Sequence, residues 1–335
     1  MQASYPTQAS SRQLLEQSST PPFWAYSGEV RCPARSCHSE NRWDADSPST
    51  NAMTKIPALF IGHGNPMNTL EDSGFTDAWK ALGRALPRPR AILAISAHWY
   101  FGATAVTAMP RPRTIHDFYG FPKELFEFDY PALGDPGLAG EIVELVKPEW
   151  VGLDHDQWGL DHGTWSVLAH IYPPADIPVV QLSLNALRPL DYHLDLARNL
   201  APLRERGVMV IASGNVVHNL RKLQWNRPTL GYDWAERFDD AVGEQLTRDP
   251  AAILKVAEHA DYDLAVPTPD HFIPLLYLAG IASTEGARIE PLLRGCSLGS
   301  LSMTCYGIGA ELELQKDPSC AARLPADVPP DQTNI

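Results

Sequence analysis

Four short runs of apolar, largely β-branched residues, Ile56–Ile61, Ala91–Ser96, Ile177–Leu184 and Val208–Ala212, are what most limits the folds open to this chain. A strand with one wet face alternates apolar and polar residues, whereas these runs read as strands buried on both faces. Segments of helical period lie between them: Phe75–Ala85, Pro136–Val146, Tyr192–Arg206 and Tyr232–Thr247. Strands alternating with helices predict an α/β fold, a mostly parallel central sheet covered by helices on both faces. No repeat of 20–50 residues is visible, which excludes solenoids.

The alternation sets the expected boundaries. Residues 1–52 are rich in Ser, Pro, Gln and Asn without a sustained period, and they read as a flexible extension. Their acidic residues argue against a transit peptide. A single catalytic domain is expected over 53–313, followed by a flexible tail over 314–335 that carries Pro318, Pro325, Pro329 and Pro330.

Charge and cysteine usage narrow the function classes. Lys+Arg number 27 against 40 for Asp+Glu, a formal net charge of −13. Such a chain repels phosphate backbones, so nucleic acid is not an expected partner. No apolar run reaches the ~18 residues of a membrane helix, and no secretory signal is evident. The five cysteines are odd in number and scattered, which fits a reducing, cytoplasmic setting rather than a disulfide framework. Cys32 and Cys37 beside His38 form half of a zinc pattern that no second pair completes.

The histidines carry the chemistry. One apolar run leads into Gly62-His63-Gly64-Asn65-Pro66, another into Ala97-His98-Trp99, and a third into Ser213-Gly214-Asn215-Val216-Val217-His218-Asn219. In parallel α/β sheets the carboxyl ends of the strands share one edge, where ligands bind. Three imidazoles would therefore converge there. His271 follows Asp270, read as a helix N-cap that places His271 in the first turn of a buried helix. His162 lies in Asp161-His162-Gly163-Thr164-Trp165. Neutral imidazole is the commonest nitrogen ligand of iron, zinc and copper, and a catalytic centre uses about three protein ligands with positions left open. A lone histidine after a strand is more often a satisfied, half-buried residue, so the weight falls on their coincidence. His38, His155, His170, His193 and His259 read as structural or solvent-facing. Trp99, Trp158 and Trp165 flank the histidine motifs and are candidates to line an aromatic substrate.

Competing chemistry is absent. The chain has no G-x-x-x-x-G-K-[ST] phosphate loop, no H-E-x-x-H helix and no dinucleotide fingerprint.

These motifs, with Thr114-Ile115-His116-Asp117-Phe118-Tyr119-Gly120-Phe121-Pro122, Pro267-Thr268-Pro269-Asp270-His271 and Gly299-Ser300-Leu301-Ser302-Met303, resemble in content and order the class III extradiol ring-cleavage dioxygenases, in particular their DOPA 4,5-dioxygenase branch. The resemblance spans residues 56 to 309. It implies one divalent metal ion per subunit, Fe(II) for catalysis or Zn(II) as a bound form, held by His63, His98 and His271, the last at a position that a carboxylate fills in other members and where Asp270 beside it is the alternative ligand. It implies His218 beside the metal, as a fourth ligand or as acid/base, and His162 in the same pocket acting on substrate or oxygen. His116, Tyr119 and Trp99 are the implied substrate-binding residues.

The expected reaction opens a catechol ring beside the diol with O2, on a DOPA-like substrate by 4,5-cleavage to a semialdehyde. Two other readings use the same imidazoles: a zinc hydrolase that activates water, and a binding protein that has kept the pocket. A carboxylated substrate needs a basic partner, for which Arg111, Arg113, Lys123, Arg221 and Lys222 are candidates.

Overall fold

The computed structural model describes residues 55–312. The assignments made for 1–52 and 314–335, including Cys32, Cys37 and His38, lie outside the described residues. The strands are β1 (Ala58–Gly62), β2 (Ala91–Phe101), β3 (Ala105–Thr107), β4 (Gly152–Asp154), β5 (Val179–Asn185), β6 (Val208–Gly214), β7 (Glu290–Leu293), β8 (Cys296–Ser297), β9 (Leu301–Ser302) and β10 (Cys305–Ile308). Eight of them form one sheet in the order β4-β3-β5-β2-β6-β1-β10-β7, while β8 and β9 pair separately. The central strands β5, β2, β6 and β1 run parallel, and β10 and β7 close one edge antiparallel. The mostly parallel α/β sheet expected from the apolar runs is the observed one.

The helices are α1 (Gly74–Ala85), α2 (Lys123–Phe126), α3 (Pro136–Leu145), α4 (His162–Ile171), α5 (Leu190–Leu200), α6 (Asp233–Arg248), α7 (Tyr262–Ala265) and α8 (Ile273–Glu285). Alternation along the strands assigns them to two layers. Ala58 and Phe60 of β1, with Leu93 and Ile95 of β2, pack against α3, α5, α6 and α8. Leu59 and Ile61, with Ile92 and Ala94, pack against α1 and α4 on the other face. Successive side chains of a strand point to opposite faces, so a run with apolar residues at every position supports two cores. Each such Leu, Ile or Phe contributes ~1.5–3 kcal/mol on burial.

Helix starts follow local chemistry. Ser73 and Thr76 cap α1 reciprocally, each side chain reaching the other's backbone N–H. Asp161 caps α4, its carboxylate accepting from Thr164 N at 3.3 Å. Three boundaries differ from expectation. The helix expected over 192–206 ends at Leu200, because Pro202 has no N–H for the α ladder and the chain tightens into a 3-10 turn over Ala201–Leu203. Strand β2 runs on to Phe101, so His98 lies within it, beside an irregularity in its pairing with β5 between Ile95 and Tyr100. Asp270 is not a helix cap: α8 begins at Ile273, and His271 lies in the turn before it. The Asp270 carboxylate is taken instead by the His271 ring.

Candidate metal centre

β1 and β6, paired in register up to Gly62 and Gly214, deliver His63 and, past a short loop, His218 to one end of the sheet. The backbone N–H of His63 donates to Gly214 O at 3.1 Å, which ties the two strand ends together. His271 arrives from the far side of β6. Its carbonyl accepts from Asn215 N at 2.9 Å. Gly214 permits this approach: a Cβ there would lie 3.0 Å from Pro274 Cγ and closer still to the His271 carbonyl oxygen. The backbone N–H of His218 donates to Ala265 O at 2.9 Å.

All five histidines of the sequence motifs converge. The ring centroids of His63 lie 5.1 Å from His98, 5.8 Å from His162 and 5.4 Å from His271. Those of His98 and His162 are 3.8 Å apart. His218 stacks on His271 at 3.5 Å. The ligand atoms of His63, His98 and His162 all lie within 4.8 Å of one another. His63 and His162 are fully buried, and the His98 side chain is 4 % exposed.

Each ring is held from behind. Ser213 Oγ donates to the Gly163 carbonyl, so it accepts from His63 Nδ1–H at 2.9 Å. The Asp117 carboxylate accepts from His162 Nδ1 at 2.9 Å through Oδ1 and faces His98 Nδ1 at 3.2 Å through Oδ2. The Asp270 carboxylate accepts from His271 Nδ1. A carboxylate only accepts, and the Ser213 hydroxyl hydrogen is already committed, so in His63, His162 and His271 Nδ1 carries the hydrogen and Nε2 presents its lone pair inward. His98 Nε2 lies 3.1 Å from His63 Nε2, close enough to donate to its lone pair. The Nε2 atoms of His162 and His271 are buried with no hydrogen-bond partner among the described residues. Converging lone pairs of this kind repel one another and are costly to bury unless a cation lies between them. The donor set therefore fits a divalent metal.

Electrostatics agree with this reading. Burial pushes the His63 and His98 pKa values well below the usual histidine range, with repulsion among the neighbouring imidazoles adding to it. Both rings are thus neutral, the form that binds metal. Burial alone would raise the Asp117 carboxyl, but the adjoining His162 and His98 rings outweigh it and hold it well below the usual carboxylate range. Asp270 behaves in the same way against His271. Behind Asp117, the fully buried Asp161 carboxyl is pushed up to about 6 by burial and then by its neighbour Asp117.

The other sequence candidates lie further out. His116 donates through Nε2–H to the Phe128 carbonyl, 2.9 Å away, and packs against Phe118, which stands between it and His162. Tyr119 is 61 % exposed. Trp99 is buried in a stack with Trp158, rings 5.7 Å apart and nearly parallel. Among the basic residues considered for a substrate carboxylate, Arg113 is spent on the carbonyls of Asp156 and Trp158 at 3.1 Å, and Lys123 pairs with Glu127 at 2.8 Å. Asp117, Ser213 and Gly163 were not singled out as functional from the sequence. The only signal for Asp117 was its place beside His116 in a motif read for substrate contact.

Residues 56–307 match the family described as the catalytic LigB subunit of aromatic ring-opening dioxygenase. The chain is 47 % identical over 262 residues to a protein of Escherichia coli K12 named 4,5-DOPA dioxygenase extradiol, covering 77 % of this chain and 96 % of that one. A protein of the same name from Beta vulgaris is 35 % identical over 265 residues, covering 74 % of this chain and 94 % of its own. The crystal structure of an uncharacterized protein from Escherichia coli K12 superposes with a TM-score of 0.67 at 43 % identity, over 76 % of this chain and all of that one.

Proposed function

Because the chain belongs to the family of the catalytic LigB subunit of aromatic ring-opening dioxygenases, we propose that it cleaves the ring of a catechol beside its two hydroxyls, consuming O2 and releasing a ring-opened semialdehyde. The observation that carries this reading is the inward convergence of imidazoles, with Nδ1 of His63, His162 and His271 each committed to an outer acceptor and His98 Nε2 3.1 Å from His63 Nε2. A site of this kind holds a cation.

In this reading His63, His98 and His271 hold the metal. Fe(II), when bound there, supplies the redox chemistry that couples a closed-shell catechol to O2, which zinc does not. The remaining steps belong to the protein. His218, stacked on His271 and largely buried, takes a proton from one catechol hydroxyl and returns it as the ring opens. His162, with Nδ1–H fixed by Asp117, keeps Nε2 aimed into the pocket, where it contacts substrate or oxygen and steadies charge that develops there. Phe118 stands edge-on against His162 at 5.5 Å and keeps water from that side. A DOPA-like catechol is the substrate class that the names of the relatives suggest.

The test is oxygen uptake by protein purified without oxygen, stripped, and reloaded in parallel with Fe(II) or Zn(II), then given DOPA, caffeate and catechol. Uptake with iron alone, together with a yellow ring-opened product, is the expected result. Stoichiometric metal binding without uptake, joined to hydrolysis of an ester or amide by the zinc form, would replace this reading with that of a zinc hydrolase.

A further inference from the structure

A cavity of about 440 Å³ lies between α6 and the antiparallel edge of the sheet, where β7 and β10 pair. Its volume falls within the range of small-molecule sites, roughly 300–1,000 Å³. Gly243, Thr247 and Arg248 of α6 line it together with Pro291, Arg294 and Tyr306. None of the five converging histidines borders it, and the reaction as described makes no use of it.

Folding does not account for the Tyr306 hydroxyl. The side chain is 1 % exposed, yet its hydroxyl has no hydrogen-bond partner among the described residues. Burial pushes the phenol well above its usual range, so the group keeps its hydrogen and stands as a donor. A buried donor left unpaired is costly, and phenylalanine would fill the same place without that cost. What this hydroxyl lacks is an acceptor.

A glycine keeps the space beside it open. Gly243 lies in the middle of α6, where glycine weakens a helix relative to alanine. A Cβ there would lie 2.9 Å from Tyr306 Oη, 3.3 Å from Arg294 Nη2 and 3.7 Å from Arg294 Nη1. The hydroxyl and the guanidinium therefore converge on one point. Arg294 spends Nη2 on Asp240 at 2.6 Å and Asp239 at 3.5 Å, while its Nη1 and Nε carry no hydrogen bond among the described residues. Arg248 donates through Nη2 to Gln245 at 2.6 Å and keeps its other donors.

The walls select the ligand. Guanidinium N–H groups beside a hydroxyl donor suit a carboxylate, which accepts through two oxygens. Glu244 borders the same cavity and is exposed, and its negative charge disfavours a dianion such as phosphate. Pro291 and the Tyr306 ring add apolar surface for the rest of the molecule.

We propose that this cavity is a binding site for a small monocarboxylate, whose oxygens accept from the Tyr306 hydroxyl and from the Arg294 and Arg248 guanidiniums. The site is separate from the metal centre and stands whether or not the protein opens catechols.

Benzoate is the probe, titrated calorimetrically into the full-length, metal-bound protein beside inorganic phosphate. A carboxylate can also bind a metal, so two variants that leave the imidazoles untouched decide where benzoate sits. Tyr306→Phe removes only the hydroxyl, and Gly243→Ala fills the space in front of it. Benzoate binds saturably, and each variant weakens it about tenfold or more. Phosphate binds at least about tenfold more weakly than benzoate, and Glu244→Gln narrows that gap. Tyr306→Phe folds, with an unfolding midpoint equal to or above that of the unaltered protein, because it removes an unpaired group. In crystals grown with 4-bromobenzoate, the bromine signal lies between α6 and β10. Absence of saturable benzoate binding, an affinity that neither variant changes, or bromine at the imidazoles alone overturns the site. Phosphate binding as tightly as benzoate overturns its selection of a monocarboxylate.

Discussion

The imidazoles of His218 and His271 lie face to face, with ring centroids 3.5 Å apart and planes 2° from parallel. An imidazole lone pair lies in the plane of its ring, so one ion cannot sit in both planes at once. His271 has its Nδ1 fixed by Asp270 and its Nε2 buried without a hydrogen-bond partner among the described residues. This geometry supports the proposed role of His271 as ligand and of His218, stacked above it, as proton carrier.

The two residues are therefore expected to separate on substitution. His271→Ala should lose bound metal together with turnover. His218→Ala should keep near-stoichiometric metal while kcat falls by about 10²–10⁴, the usual contribution of a positioned acid/base. Metal analysis beside oxygen uptake on both variants decides this. A His218→Ala protein that loses its metal would make His218 a ligand.

His162 poses the same question in a sharper form, because its ligand atoms group within 4.8 Å of those of His63 and His98. We expect His162→Ala to retain metal and to lose activity, since the proposed ligand set does not include it. Loss of metal from His162→Ala with retention by His271→Ala would exchange their roles.

Asp117 joins His98 to His162 through its two oxygens. Asn has the same shape but presents an amide N–H to one of the two rings. That ring must then accept at Nδ1 and carry its hydrogen on Nε2, where the lone pair for the metal had been. Asp117→Asn should lower metal affinity by about 10–100-fold, the usual effect of removing such an outer partner. Competition with a chelator of known affinity measures it, and an affinity equal to that of the unaltered protein would sink the argument.

How far all this was legible in the sequence depended on the range of the interactions. His63 and His218 follow apolar runs whose lack of alternation declares them buried parallel strands, and the edge to which such strands deliver their next residues is a property of the fold class. Asp117 gave no comparable sign: it sits in a stretch without regular secondary structure, and its function exists only once that stretch meets β2 and the first turn of α4. Asp270 was misread because an acidic residue before an apolar helix is the ordinary look of an N-cap. Here a neighbouring imidazole competes for the same carboxylate. Strands β3, β4 and β7 to β10 are two to four residues long, too short to show any period. Tertiary pairing creates them.

Gly163 shows how closely the site is packed. A Cβ at this position would clash with Ser96 Oγ and lie 2.9 Å from His98 Cδ2. Gly163→Ala should displace the His98 ring and destabilise the protein by roughly 1–3 kcal/mol, the usual cost of overpacking. Because His98 is a proposed ligand, metal affinity should fall along with the unfolding midpoint. A variant with full metal affinity would show that the first turn of α4 moves freely against β2.

Away from the metal centre, His193 provides a pH dependence that can be isolated. It is buried at the start of α5, where Nε2–H donates to the Asn185 carbonyl at 3.3 Å and Nδ1 accepts from the Tyr277 hydroxyl at 3.1 Å. Burial lowers its pKa from 6.5 to about 4. Between those values the unfolded chain binds a proton that the folded chain does not, so stability rises with pH across this window and is lost as pH falls from about 6.5 to about 4. The full span corresponds to about 3 kcal/mol. His193→Gln removes the titrating group, so between pH 7 and pH 4.5 the variant should lose about 2–3 kcal/mol less than the unaltered protein. Urea unfolding of both proteins in the presence of a chelator, which keeps metal release out of the comparison, measures the difference. Parallel losses in the two proteins would mean that His193 is protonated in the folded state or leaves its pocket before the chain unfolds.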